Sequence, residues 1–384
     1  MFLGIDASNI RAGGGVTHLR ELLNHSSPMD FGFEKVVIWS GSKTLDSLAN
    51  YSWLEKRNES LLGKSLPYRI FWQQFILPKK LIEEKCSILF SPGGILPFTV
   101  SVTTISMSQN MLPFEKKERS RFKSKAQKLK FLILRFIQGY SFKNASGLIF
   151  LSEYAKKYIQ NSLNGKLDQI RTIPHGVDKR FMKAPRDPKR IEDCSDADCF
   201  RLLYVSIIDV YKHQWKVVEA VALLRKMGLP VAIDFVGPCN PEAMLIFEKS
   251  IKKHDEQQQF INYHGPVNFD QLEGYYQSAD IFVFASSCEN LPNILLEAMA
   301  AGLPIASSNT GPMPEVLCRF AEFFNPESAE SISMAIKNLI LSPELRKKNA
   351  DSLYDKVQSY SWEKCANNTF DFLRYIDSQV SKVK

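Results

Sequence analysis

The sequence has no CxxC pair. Its seven cysteines (Cys86, Cys194, Cys199, Cys239, Cys288, Cys318 and Cys365) are scattered and odd in number. That arrangement argues against a zinc site and a disulfide framework, and it fits a reducing cytoplasm. Among His18, His25, His175, His213, His254 and His264, no two have metal-ligand spacing, and no DxD carboxylate pair stands at a strand end. No protein-bound catalytic metal and no cofactor are therefore expected. A GxSxG elbow is missing, which disfavours a serine hydrolase. The first residues, MFLGIDASNI, carry no basic leader and no long apolar core, so no signal peptide is expected. Nor does any window reach the ~18 uninterrupted apolar residues of a membrane span. The nearest is FLILRFI at 131–137, which is short and contains Arg135. No repeat of solenoid period is visible.

What is present is ordinary globular material: 384 residues, 45% hydrophobic and 23% charged. The net charge of +8 favours anionic partners such as nucleotides or phospholipid headgroups without selecting among them. Short apolar runs alternate with helical stretches throughout. Strands are expected at 1–8, 35–41, 87–94, 103–109 and 146–152, with helical spacing at 17–25 and 153–163. A polar, aperiodic stretch at 184–199 reads as a surface loop near a domain boundary. The alternation then restarts: strands at 201–207, 231–237, 259–267, 280–286 and 303–308, helices at 216–228, 241–256, 270–279 and 292–302. Strands separated by helices imply right-handed crossovers and parallel sheets. Two such series predict two doubly wound α/β domains facing across a cleft. Ligands in such sheets bind outside the carboxyl ends of the strands.

One stretch concentrates the chemistry: SCENLPNILLEAMAAGLPIASSNTGPMPEVL, residues 287–317. An apolar strand precedes it, so Glu289 falls on the loop at the strand's ligand-binding end. Asn290 is expected to cap the following helix, with Pro292 near its first turn and Gly302 just past its end. Glu297 lies inside the helix. A carboxylate accepts two hydroxyls side by side, as on vicinal diols. The free amides of a helix's first turn favour an anion. Two acids flanking an anion-binding helix start would suit a sugar–phosphate–sugar layout, as in a nucleotide sugar. Spacing alone leaves open that Glu289 is merely solvated and Glu297 merely an exposed helix residue.

The segment resembles the signature of retaining glycosyltransferase family 4, the E-x7-E transferases with two Rossmann-like domains (the GT-B architecture). The acids Glu289 and Glu297 carry the motif, and AMAAGLPIASS and GPMPEVL continue it. IPHGVD (173–178), HGPV (264–267), FLSEYAKKYI (150–159) and YSWEKCANNTFDFL (360–373) also fit. The resemblance implies an N-terminal acceptor-side domain at 1–182 and a nucleotide-sugar-binding domain at 183–360. A last helix, 361–384, would return to the first domain. It implies that Glu297 holds the ribose hydroxyls and Glu289 those of the transferred sugar. Amides near Asn290, Leu291 and Asn293 would face the diphosphate, and His264 to Val267, including Gly265, would border the base.

Two departures from the family pattern stand out. The loop after the first strand of the second half commonly reads glycine-arginine, then lysine-glycine, its two cations neutralising the leaving diphosphate. Here Lys212 keeps the lysine position, but Ser206 and Ile207 replace glycine and arginine, and His213 replaces the second glycine. Tyr211, His213 or a residue of the first domain would have to compensate, or activity would be low. In the first half, many members carry a histidine in the loop before Pro113. Here Gln109 or Ser108 stands nearest, and neither is a useful base near neutral pH. Gln109 and Asn110 are expected to orient sugar hydroxyls, with a merely structural turn as the alternative.

The glycine-rich run at 12–16 lets backbone approach a ligand closely, so Gly14 and Gly15 are candidate donor contacts, with a plain tight turn as the alternative. It is not a dinucleotide fingerprint, because His18 stands where the third glycine belongs. This disfavours a nicotinamide dehydrogenase. Residues 114–136 are dense in Lys and Arg and then turn apolar. A basic amphipathic helix there would lie on an anionic membrane, which would suit a lipid-linked acceptor; a solvated helical face is the alternative. Nucleic acid is not expected, because aromatics are not interleaved with the basic run.

The resulting expectation is a retaining, metal-independent glycosyltransferase. It would move a sugar from a nucleotide diphosphate donor to an acceptor hydroxyl, in surface polysaccharide, lipopolysaccharide or glycolipid synthesis. Its place would be the cytoplasm, in peripheral contact with the inner face of the cell membrane. Glu289 and Lys212 would be its catalytic residues. A nucleotide- or glycan-binding scaffold of the same fold and a nucleotide-sugar epimerase are the alternatives.

Overall fold

The computed structural model describes residues 1–11, 13–165 and 167–382. These form two compact units: Met1–Phe114, Ser124–Gly176 and Ser361–Lys384 in the first, Glu115–Lys123 and Val177–Tyr360 in the second.

The first unit is built on a seven-stranded sheet: β1 (Phe2–Asp6), β2 (Lys35–Ser40), β3 (Leu54–Asn58), β4 (Ile88–Ser91), β5 (Thr103–Ser108), β6 (Gly147–Phe150) and β7 (Ile170–Thr172). Its order is β3-β2-β1-β4-β5-β6-β7, with every adjacent pair parallel. The second unit holds β8 (Phe200–Val205), β9 (Val231–Val236), β10 (Ile261–Tyr263), β11 (Ile281–Phe284), β12 (Ile305–Ser308) and β13 (Glu322–Phe324), in the order β10-β9-β8-β11-β12-β13. These pairs are parallel too. Helices cover both faces of such sheets, so central strands are buried on both sides and read as continuous apolar runs. All four residues of β4, β6, β11 and β12 are buried. In both sheets the strand order reverses beside the first strand, at β1/β4 and at β8/β11. That reversal is where doubly wound sheets bind ligands.

Each strand expected from sequence forms, most of them shorter by a residue or more, while β8 starts one residue earlier, at Phe200. β3, β7 and β13 have no counterpart in that reading. β3 is LEKRN, an edge strand whose charges pair with neighbours: Lys35 Nζ lies 2.9 Å from Glu55, and Arg57 Nε 2.9 Å from Glu84. Charged edges disguise strands. β13 is three residues long.

The domain boundary also moves. The expected division fell after residue 182, but the first compact unit ends at Gly176. Residues 178–181 make their contacts in the second unit: Arg180 Nη1 donates to Asp270 at 2.7 Å, and the Phe181 ring meets Tyr276 at 5.4 Å. The polar stretch 184–199 lies wholly inside the second unit. Glu115–Lys123 leaves its sequence neighbours and packs with the second unit, which no sequence feature announced. The final helix, Trp362–Ser381, belongs to the first unit.

Gly176 is required by close approach. A Cβ there would lie 2.1 Å from the Trp362 amide nitrogen and 2.6 Å from Ser361 C, both rigid backbone. Gly176→Ala is therefore expected to destabilise the protein by about 1–3 kcal/mol, the usual cost of forcing atoms into a packed site. Chemical denaturation checks this as a lower midpoint at unchanged slope.

Candidate functional site

In the second unit, the loops leaving β8 and β11 meet at the strand-order reversal. The β8 loop carries Tyr211, Lys212 and His213; the β11 loop carries Ser286, Ser287, Cys288 and Glu289. Backbone ties them: the Ser287 amide donates to Tyr211 O at 2.8 Å. Side chains reinforce the link. Lys212 Nζ donates to Glu289 Oε1 in a salt bridge whose side chains are 6% and 15% exposed. Ser286 Oγ donates to the same carboxylate oxygen at 2.6 Å. The Lys212 ammonium also lies 5.2 Å from the ring centres of Tyr211 and Phe284. Rings and carboxylate together hold a buried cation that would otherwise be costly. The fold thus brings together the two residues expected to be catalytic, 77 positions apart in sequence.

The helix after β11 runs Asn293–Ala300. Its N-cap is Pro292, with no side-chain cap, so the expectation that Asn290 caps it is not met. Proline takes the extended N-cap geometry, with φ −80° and ψ 115°, which puts Asn290 two residues too early. Glu297 falls in the second turn, half-buried, and accepts a 2.9 Å hydrogen bond from the Tyr276 hydroxyl. Desolvation raises its pKa to about 7, against the lowering effect of that bond. Burial and the Glu297 charge together push the Tyr276 phenol well up, so Tyr276 stays a donor. At the helix start the Asn293 side-chain oxygen is buried with no hydrogen-bond partner among the described residues. Such an orphan calls for an explanation, and a ligand is one. Gly302, with φ 66°, ends the helix as expected, its amide donating to Met299 O at 3.1 Å.

His213 sits at the N-cap of helix Gln214–Lys226 with φ 52°. This left-handed conformation explains why glycine suits the position. The imidazole is buried and turned onto the β11 loop, with Nε2 2.9 Å from Ser287 Oγ. Burial lowers its pKa to about 4, assisted by Arg121. It is neutral at pH 7 and cannot supply the positive charge lost at Ile207, so that expected form of compensation fails. Ile207 itself is 37% exposed.

Of the expected base-bordering residues, Gly265 has φ 66° and its carbonyl accepts from the Gly237 amide at 2.9 Å. Val267 is half-buried. His264 Nε2 contacts Asp234 Oδ1 at 2.7 Å, and its ring meets Tyr275 at 5.0 Å. These lie at the carboxyl ends of β9 and β10.

In the first unit, Gly13 caps helix Gly14–Asn24 with φ 66° and no side-chain cap; Ala12 lies outside the described residues. A Cβ on Gly15 would lie 3.2 Å from Gln109 Oε1, so the glycine turn and the loop after β5 are neighbours. Gln109 Nε2 also contacts Met107 Sδ at 3.2 Å. Asn110 is exposed, but its side-chain oxygen accepts from the Leu112 amide at 3.0 Å, which makes it a turn former as well.

The basic stretch 114–136 is not one amphipathic helix. A short helix, Lys116–Arg121, packs in the second unit, and Ser124 then caps a separate helix, Lys125–Asn144, in the first. Lys117 and Arg121 are spent on Glu327, at 2.5 and 2.7 Å, and hold its pKa down to about 2. Only the second helix is open: Leu129, Leu132, Ile133, Phe136 and Tyr140 are 39–72% exposed, at helical spacing. Sequence reasoning missed the site partners Ser286, Ser287, Tyr276 and Glu118. Serines beside a motif carry no distinguishing mark, and Glu118 reaches Ser287 across 169 residues.

Residues 189–354 match the family model described as glycosyl transferases group 1. Among curated relatives, a D-inositol 3-phosphate glycosyltransferase of Arthrobacter sp. (strain FB24) is 26% identical over 225 residues, 56% of this chain and 53% of the relative. The chain spans about half the length of the curated relatives it matches, and less of some. Among solved structures, sucrose-phosphate synthase from Thermosynechococcus elongatus superposes with TM-score 0.77 at 16% identity, over 100% of both chains. Anabaena HepE in complex with UDP-glucose gives 0.72 at 14%, over 100% of both chains. At that identity the structures speak for the fold: two parallel α/β sheets of the GT-B kind.

Proposed function

We propose that the protein transfers a sugar, with retention of anomeric configuration and without a protein-bound metal, from a nucleotide diphosphate sugar to an acceptor hydroxyl. The observation that carries this reading is the meeting of Lys212 and Glu289 where the strand order reverses, with the 293–300 helix start following directly. In this reading Glu297 accepts the ribose hydroxyls, Glu289 fixes the transferred sugar, and Lys212 with the helix-start amides stabilises the departing diphosphate. The relative bound to UDP-glucose supports a nucleotide-sugar donor. As the resemblance to family 4 implies, a donor phosphate oxygen accepts the acceptor's proton in front-face attack. Incubation with nucleotide sugars, with and without a hydroxyl acceptor, tests this. Acceptor-dependent release of nucleoside diphosphate, unaffected by EDTA, is expected. Binding without turnover would favour a scaffold, and acceptor-independent isomerisation an epimerase.

The acceptor in this reading is lipid-linked, and the protein works at the inner face of an anionic membrane. Helix Lys125–Asn144 supports it: Lys125, Lys128, Lys130, Arg135 and Lys143 stand on it with no acidic residue, beside the exposed apolar stripe. Phe98 extends the stripe, its ring 5.0 Å from Tyr140. Apolar area and basic charge together bind anionic interfaces. Sedimentation with phosphatidylglycerol vesicles should pull down the wild type. Leu132→Asp/Phe136→Asp should stay in the supernatant, and neither should sediment with phosphatidylcholine alone. Equal sedimentation of wild type and variant would contradict the assignment.

A further inference from the structure

The donor-site reading accounts for Lys212, Glu289 and Glu297, but not for a buried polar chain beside them. Glu118, on the segment Glu115–Lys123 that packs with the second unit, is 3% exposed. Its Oε2 accepts from Ser287 Oγ at 2.7 Å. Ser287 Oγ also lies 2.9 Å from His213 Nε2 and 3.2 Å from Tyr211 O. A serine hydroxyl has one proton to give. The shorter, charge-assisted bond to the carboxylate takes it. The imidazole, neutral by burial, must then donate Nε2–H to the serine oxygen, which fixes its tautomer. Arg121 forks onto Glu118, with Nε 2.7 Å from Oε2 and Nη2 3.3 Å from Oε1, and reaches on to Glu327 at 2.7 Å. The Lys123 amide is held by Glu242 at 3.0 Å.

This chain ends on both halves of the candidate site. His213 is the residue after Lys212, and Ser287 stands two residues before Glu289. We propose that Glu118 is a positioning residue for the donor site: through Ser287 and His213 it fixes the register of the β8 and β11 loops, and so the placement of Lys212 against Glu289. His213, where glycine is usual, adopts a left-handed backbone and in return gives the β8 loop a side chain that grips Ser287. The proposal rests on the donor-site reading for its catalytic consequence. The pinning of the loops stands on geometry alone.

The test uses the full chain as wild type, Glu118→Ala, Glu118→Gln, Ser287→Ala and the Glu118→Ala/Ser287→Ala double variant. Hydrogen exchange at the Ser287–Glu289 amides is read first, because it needs no turnover. Glu118→Ala should accelerate exchange there at least about tenfold relative to amides of β9, whereas Glu118→Gln, which keeps an acceptor for Ser287, should not. In steady state with a nucleotide-sugar donor, Glu118→Ala should lower kcat at least about tenfold, with a smaller change in donor KM. Glu118→Gln should restore kcat to within a few-fold of wild type. The double variant should be no worse than the poorer single, as expected of residues acting as one unit. Unchanged exchange in Glu118→Ala overturns the proposal, as do multiplicative losses in the double variant or a kcat loss that Gln does not rescue. If wild type turns over no nucleotide sugar but exchange responds as expected, the donor reading fails while the loop pinning holds.

Discussion

Lys212→Ala is expected to lower sugar transfer by about 10²–10³-fold, the effect of removing one preorganised charge-stabilising donor from a buried site. The magnitude follows from its surroundings. The ammonium is 5% exposed as a residue, held by Glu289 and set between the Tyr211 and Phe284 rings. A charge in so dry a place acts on a developing diphosphate far more strongly than a surface lysine would. In the proposed reading, with the family's usual arginine replaced by Ile207 and His213 neutral, Lys212 is the β8-loop cation left for the leaving group. Its loss should appear mainly in kcat. Lys212→Arg should recover little, because a planar fork does not replace a compact ammonium between two rings. Removing Lys212 also strands Glu289, so stability is read beside activity. If Lys212→Ala stays folded at the assay temperature and has lost turnover, the lysine's role is chemical. Steady-state turnover beside a melting curve for each variant is the check.

Glu297→Gln is expected to weaken donor binding about 10–100-fold, the worth of hydrogen bonds to a charged acceptor. Desolvation raises the Glu297 pKa to about 7, so the free protein holds a proton there through much of the neutral range. A ribose diol needs the ionised form as acceptor. Donor affinity should therefore rise as pH increases from 6 to 8 and level off above the pKa, and Glu297→Gln should flatten that profile. Stability without ligand runs the other way. The folded state binds more protons than the unfolded one between the ordinary glutamate value of 4.5 and about 7, so stability falls as pH rises through that window. Glu297→Gln should hence melt higher than wild type at pH 8, with less advantage at pH 5. Titration calorimetry across pH and melting curves at the two ends measure both signs.

Much of this site was legible because its chemistry is local. Glu289, Asn293 and Glu297 sit within one strand–loop–helix, where apolar runs, a proline and a closing glycine mark the elements. Lys212 was reachable because it too follows a strand, and strand ends at an order reversal converge. What stayed hidden was long-range or short. Glu118 lies in a basic run whose composition suggested one continuous helix. Its destination depends on tertiary pairing with Ser287 and on the Glu327 cluster, and periodicity carries no trace of either. Asn290 was misread as a cap because asparagine is a strong capping residue, whereas Pro292 fixed the N-cap two positions later. β3 was lost to its charges, β7 and β13 to their length of three residues.

The most direct measurement is thermal shift of the wild type and of Lys212→Ala and Glu297→Gln with UDP, GDP, TDP and their sugars, since a ligand that binds only the folded chain raises its melting point. At least one nucleoside diphosphate should raise the wild-type midpoint, with the shift strongly reduced in both variants. The same shift in all three proteins would contradict a diphosphate sugar lying between Lys212 and Glu297.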